Sequence, residues 1–110
     1  MGEEIDMAYS DRELLARLIE CEAGGEGENG MKAVASVVMN RVRATGGEYA
    51  RVGQGSIRNI IFQPYQFVCA SETEGGAYNP QNIYNMRPQQ IHYDIADWAI
   101  AGNRLPDVAE

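Results

Sequence analysis

Apolar side chains recur at helical spacing in blocks that glycine pairs cut short, and this punctuation restricts the chain to a packing of short helices. Leu14, Leu15, Leu18 and Ile19 repeat at the i, i+3, i+4 interval of one buried helix face, and Gly24-Gly25 supplies the stop. Ser10 with Glu13 three residues later reads as a capping box, so the first helix is predicted to begin there. A second helix is predicted over residues 28–44, with Met31, Val34, Ala35, Val38 and Val42 along one side and Gly46-Gly47 closing it. Ser56 caps a short third helix carrying Ile57, Ile60 and Ile61, after which Pro64 turns the chain. The last helix is predicted over residues 88–101, with Ile91, Ile95 and Trp98 on one face and Gly102 beyond its end.

Between the third and last helices the composition changes. Residues 63–85 mix Tyr65, Phe67, Tyr78 and Tyr84 with Gly75-Gly76 and Asn79-Pro80, a loop-like stretch in which short strands are left open. The period-two signal is weak and no internal repeat is present, so a mainly helical domain is favoured over a sheet protein. At 110 residues the chain fits one domain. Residues 1–9 lack any period and are set apart as an N-terminal extension, leaving residues 10–110 as the domain.

Charge narrows the partners. Nine basic and sixteen acidic side chains give a net −7, which opposes attraction to phosphate backbones and anionic lipid, so nucleic acid is excluded as a partner. No apolar run approaches the roughly 20 residues of a membrane span, and no basic-plus-apolar N-terminus forms a signal peptide in this chain. Cys21 and Cys69 lie far apart with no C-x-x-C, which removes a zinc knuckle and a thioredoxin-type motif; a disulfide between them stays open. No metal or other cofactor is expected.

Glu22 is the most informative residue. It continues the Leu14–Leu18 row, so it should lie at the edge of an apolar face, where partial burial raises a carboxyl pKa and keeps it protonated as a proton donor. Glu26, four residues on, would lie roughly 5–6 Å from Glu22 between Cβ atoms if the helix continued, but two glycines intervene. The competing reading is that Glu20, Glu22, Glu26 and Glu28 form a solvated acidic helix end. Cys21 adjoins Glu22, yet adjacent helix positions diverge by about 100° and the local charge suppresses a thiolate, so Cys21 reads as buried filler. His92 has no histidine partner and reads as a surface or packing residue, while Arg41 suits a helix C-terminus as well as a site. Phe62 and Phe67 read as core, although aromatics here could stack on sugar rings while Gln63, Gln66 and Asn85 bind hydroxyls.

Taken together these segments resemble the SleB/CwlJ family of cell-wall hydrolases, which includes the enzymes that degrade spore cortex during germination. The resemblance rests on Leu15-Ala16-Arg17-Leu18 leading into Glu22-Ala23-Gly24-Gly25-Glu26-Gly27, then Gly30 through Val38, Asn40-Arg41-Val42, and residues 57–67 with Phe62-Gln63-Pro64-Tyr65-Gln66-Phe67. It covers residues 11–102 and is poor over residues 70–82. It implies a lysozyme-related, mainly α (α+β) domain with a small β element. The family's acid glutamate falls on Glu22, Glu26 becomes an auxiliary candidate, and Gln63, Gln66, Phe67 and Tyr84 become candidates for binding substrate.

The implied reaction is cleavage between muramic and glucosamine sugars of peptidoglycan, by lytic transglycosylation or by hydrolysis. Peptidoglycan stems are themselves acidic, so binding would rest on sugar contacts or bridging cations rather than net charge. The short N-terminus resembles the CwlJ branch more than the exported SleB branch, which implies synthesis in the mother cell, deposition at the boundary of spore coat and cortex, and a spore-coat protein as partner. Relatives of that branch continue well past Glu110, so a truncated cleft is expected. Two other classes compete: a non-catalytic peptidoglycan-binding or coat-assembly module, and, ranked last, a metal-binding regulatory domain using the acidic run Glu20–Glu28, which lacks the loop of an EF-hand.

Overall fold

Five α-helices and one short hairpin make up the described part of the chain: α1 (Asp11–Ala23), α2 (Gly27–Val42), α3 (Gly47–Gly53), α4 (Ile57–Ile61), the antiparallel strands β1 (Thr73–Glu74) and β2 (Ala77–Tyr78), and α5 (Gln90–Ile100). The computed structural model describes residues 9–64 and 66–108, so Tyr65 and all of the expected N-terminal extension but Tyr9 lie outside the described residues. The mainly helical architecture with a small β element is as the sequence predicts.

α1 is the axis of the domain because apolar residues occupy most of its circumference and only Asp11 and Arg12 in its first turn are exposed. Leu14, Leu15, Leu18 and Ile19 are fully buried, and Ala16, Cys21 and Ala23 join them, so α1 packs against α2, α4 and α5 at once. Burying such a Leu or Ile side chain contributes roughly 1.5–3 kcal/mol relative to exposure. The entry to α1 differs from a closed capping box. The Ser10 hydroxyl accepts the Glu13 N–H at 3.1 Å, but the Glu13 carboxylate turns to Arg17 at 2.7 Å and to the Tyr93 hydroxyl at 2.8 Å. Glu13 therefore ties α1 to α5 instead of capping its own helix. Ser10→Ala is expected to cost about 1 kcal/mol, measured by denaturant unfolding.

Two helical expectations change. Gly46-Gly47 does more than close α2: Gly46 is the N-cap of α3, a seven-residue helix whose sequence Gly-Glu-Tyr-Ala-Arg-Val-Gly has no amphipathic period and so gave no signal. In α5 the buried face is His92, Ile95, Ala96 and Ala99, while Ile91 is 36% exposed. Counting only large apolar side chains missed this, because small residues let the α5 backbone approach its neighbours closely. His92 has the packing role expected of it: its Nδ1 accepts the Gln89 N–H at 2.9 Å and caps α5.

The loop-like stretch is ordered by asparagines. Gly75 (φ 59°) and Gly76 (φ 85°) supply the two left-handed residues that a tight hairpin turn requires. Asn79 Nδ2 donates to the carbonyls of Val68, Ser71 and Gln81 at 3.3, 3.1 and 3.1 Å. Asn82, 1% exposed, accepts the Tyr84 N–H at 2.9 Å and donates to the Asn79 carbonyl at 2.6 Å. Asn82→Ala strands these buried backbone groups and is expected to cost about 2–3 kcal/mol, read as a lower denaturation midpoint.

Candidate active site

Glu22 occupies the last turn of α1, which ends where the Gly24 N–H meets the Glu20 carbonyl at 2.9 Å. The side chain is half-buried. Burial pushes the Glu22 carboxyl above its usual range, and a backbone hydrogen bond from Cys69 opposes this in part. The negative end of the α1 dipole acts in the same direction as burial. A carboxyl with these surroundings holds its proton further towards neutral pH than an exposed glutamate, the condition for donating it to a leaving oxygen.

The Cys69 amide stays at Glu22 because its segment is fastened on several sides. Cys69 lies in a single 3-10 turn, Val68–Ala70, and is disulfide-bonded to Cys21, the residue preceding Glu22. The open question about the two cysteines is thereby answered, and the burial expected of Cys21 holds at 8% exposure. Gln81 braces the other side of Cys21: its Nε2 donates to the Cys21 carbonyl at 3.4 Å, and its own carbonyl oxygen lies 3.3 Å from Cys21 Sγ. Asn79 holds the carbonyls of Val68 and Ser71, on either side of Cys69.

A groove of about 390 Å³ opens beside this turn, between Pro64, Phe67 and Val68 on one wall and Thr73 and Glu74 of the hairpin on the other. Phe67 and Val68 immediately precede Cys69, so the groove lies beside the turn that the disulfide joins to the residue before Glu22. Its aromatic wall is set by Arg41, whose guanidinium lies 4.8 Å from the Tyr49 ring centre and 5.4 Å from that of Phe67. Arg41 Nη1 also donates to Gln66 Oε1 at 2.8 Å. The Gln66 carbonyl is thus occupied in shaping the wall, and Phe67 is partly buried against the core while lining the groove. Gln63 Oε1 is buried and has no protein partner among the described residues.

Glu26 and Tyr84 stand apart from this group. α1 ends at Ala23 and Glu26 is the N-cap of α2, so the continued-helix spacing to Glu22 does not arise. The Glu26 side chain lies over Gly30, where an added Cβ would come within 2.7 Å of Glu26 Cβ. The charge of Glu26 is not among the influences on Glu22. Tyr84 belongs to the 3-10 turn Ile83–Asn85, which Arg17 of α1 fastens by donating to the Ile83 carbonyl at 2.9 Å, and it is not in the groove wall. A larger cavity, about 440 Å³ between Glu20, Gly24, Met31, Gln81, Met86 and His92, lies elsewhere. Glu20 is two positions from Glu22, about 200° around the helix, and the remaining walls lack the aromatic face that Phe67 gives the groove. The acid and its aromatic groove make the smaller opening the candidate site.

Sequence reasoning missed three contributors: the Cys69 amide, Glu74 and the asparagine pair. A backbone donor leaves no trace in a side-chain pattern. Glu74 lies in a hairpin of two-residue strands too short to show a period, and Asn79-Pro80 has the composition of an ordinary turn.

The chain was compared with known proteins. A family model described as Cell Wall Hydrolase matches residues 25–110. Cell wall hydrolase CwlJ of Bacillus subtilis (strain 168) is 43% identical over 58 residues, which is 53% of this chain and 39% of that protein. The chain thus spans well under half the length of that curated relative. No solved structure matches it. The resemblance to the SleB/CwlJ family on its CwlJ side is borne out. The matched region begins three residues after Glu22, so the case for Glu22 rests on its surroundings.

Proposed function

The chain belongs to the cell wall hydrolase family, and from that premise we propose that it cleaves peptidoglycan glycan strands with Glu22 as the acid and then the base. The observation that carries this reading is the half-buried Glu22 carboxyl, raised by burial, in the helix turn that the Cys21–Cys69 disulfide joins to the segment whose Phe67 and Val68 line the groove. In the first step protonated Glu22 donates to the oxygen linking muramic C1 to the next glucosamine, and that C–O bond breaks. In the second, the Glu22 carboxylate takes the proton from the muramic 6-hydroxyl as its oxygen bonds to C1. An anhydro-muramic end and a free glucosamine 4-hydroxyl result, and Glu22 is protonated again.

This lytic transglycosylase route is favoured because it needs one carboxylate, and Glu26 starts a separate helix after the one that carries Glu22 ends. Phe67 would stack on a sugar face and Gln63 would accept from a hydroxyl, with Gln66 holding the wall beneath them. Hydrolysis is the second reading, favoured by one observation: Glu74 brings a carboxylate to the opposite side of the groove, where it could activate water. In both readings the substrate is spore cortex, by the likeness to the CwlJ branch. The enzyme would act at the coat–cortex boundary after synthesis in the mother cell, beside a coat protein.

Mass spectrometry of purified cortex peptidoglycan after incubation with the chain tests this reading. Anhydro-muramic products that vanish with Glu22→Gln support transglycosylation, and Glu22-dependent reducing ends support hydrolysis. Binding without cleavage by this chain and by a version extended at its C-terminus would replace the enzyme with a glycan-binding module.

A further inference from the structure

We propose that the Cys21–Cys69 disulfide is a positioning device for Glu22, which seats the Cys69 amide on the carboxylate and gives it up when the bond is reduced. This rests on the reading of Glu22 as the acid. The two cysteines stand 48 residues apart in sequence, and each is placed against the same group: Cys21 immediately precedes Glu22 in α1, and the Cys69 N–H is its hydrogen-bond donor. One covalent link thus fixes both the helix turn that carries the acid and the 3-10 turn that touches it.

The surroundings suit control of the acid as well as bracing of the fold. α1 is already held along its length by buried packing against α2, α4 and α5. The 3-10 turn Val68–Ala70 is short, and Val68 is 55% exposed. Beyond the disulfide, the turn is held by Phe67 and Ala70 packed against the core and by Asn79, which bonds the carbonyls flanking Cys69 but not the Cys69 amide. The link to Cys21 joins this turn covalently to the residue that precedes Glu22. Val68 and Phe67 also line the groove, so release of this turn alters the wall and the acid together.

Reduction is a two-electron step. A dithiol such as dithiothreitol delivers two electrons and two protons to the sulfur–sulfur bond, leaving two cysteine thiols and the cyclic disulfide of the reagent. Reoxidation by glutathione disulfide reverses it, yielding two molecules of glutathione.

The test follows the Glu22 carboxyl directly, by NMR titration of the chain carrying glutamate labelled with carbon-13 at the side-chain carboxyl, oxidised and then reduced. Losing the Cys69 amide removes the influence that favours the charged form, so the Glu22 midpoint should move to higher pH on reduction. Reoxidation should restore the first curve. Cortex cleavage measured on the same samples should fall roughly 10- to 100-fold on reduction, with kcat changing more than KM, the scale of a misplaced catalytic group. A superimposable Glu22 curve in a reduced chain that keeps its far-ultraviolet circular dichroism would overturn the proposal. Should reduction unfold the chain, Cys21→Val with Cys69→Ala refills the space with apolar atoms and gives the same comparison. A shifted midpoint in a chain that cleaves nothing, even oxidised, upholds the positioning device and rejects the enzymatic reading instead.

Discussion

Replacing Glu22 with glutamine is expected to slow cortex cleavage by about 10³-fold, the usual scale for losing a positioned general acid and base, without weakening the fold. Glutamine keeps the shape and the capacity to accept the Cys69 N–H but carries no transferable proton. The pH profile should expose the same group. Burial raises the folded-state midpoint of Glu22, so the protonated donor persists above the range of an exposed glutamate. The rate should then fall as pH rises through that displaced midpoint. The stability effect has a definite sign. Because the folded midpoint lies above the unfolded one, the favourable contribution of Glu22 is complete below the unfolded midpoint and is lost as pH rises through the folded midpoint. Glutamine, neutral throughout, escapes that loss, so the variant should match or exceed the parent in denaturation midpoint near neutral pH. Product mass spectrometry and urea unfolding at acidic and neutral pH check both halves. A variant that cleaves within tenfold of the parent would remove Glu22 from the chemistry.

The residues that announced the fold were those whose period speaks for itself. Leu14, Leu15, Leu18 and Ile19 marked α1 because one face of a helix repeats, and Ser10 and Ser56 marked helix starts because a hydroxyl is the natural partner of an unsatisfied N–H. α3 stayed hidden because seven residues with a glycine at each end carry no period, and the contact face of α5 stayed hidden because alanine packs without contributing a strong apolar signal. Position along a row identified Glu22 as an edge residue, and its half-burial agrees. Its partner could not be read in the same way. The Cys69 amide reaches Glu22 across 47 residues of chain, through a turn stabilised by Asn79 and a bond to Cys21, and no local pattern encodes such a closure. The acidic run Glu20–Glu28 likewise divides only in three dimensions: Glu20 borders the larger cavity, Glu22 follows the disulfide-linked Cys21, and Glu26 starts a new helix.

Removing the disulfide by Cys21→Ser with Cys69→Ser should cost about 4 kcal/mol of stability, from the loop-closure entropy of a 48-residue separation. Domains of this size are stable by about 5–15 kcal/mol in all, so the loss is a large fraction of the total. At roughly 4–8 °C per kcal/mol for a chain near 100 residues, the melting temperature should fall by about 20 °C. Most of that effect belongs to the unfolded chain, which gains freedom when the link is cut. Calorimetry of parent and variant, with reduced parent as a third sample, measures it. Reduced parent and serine variant should melt together, because both lack the same constraint. A loss under 1 kcal/mol would mean that the unfolded chain keeps this loop partly closed without the bond or that the bond strains the native turn. In either case the link would hold the turn beside Glu22 without holding the domain together. A loss near 4 kcal/mol joins the two roles in one bond, so that whatever reduces it both softens the chain and disarms its acid.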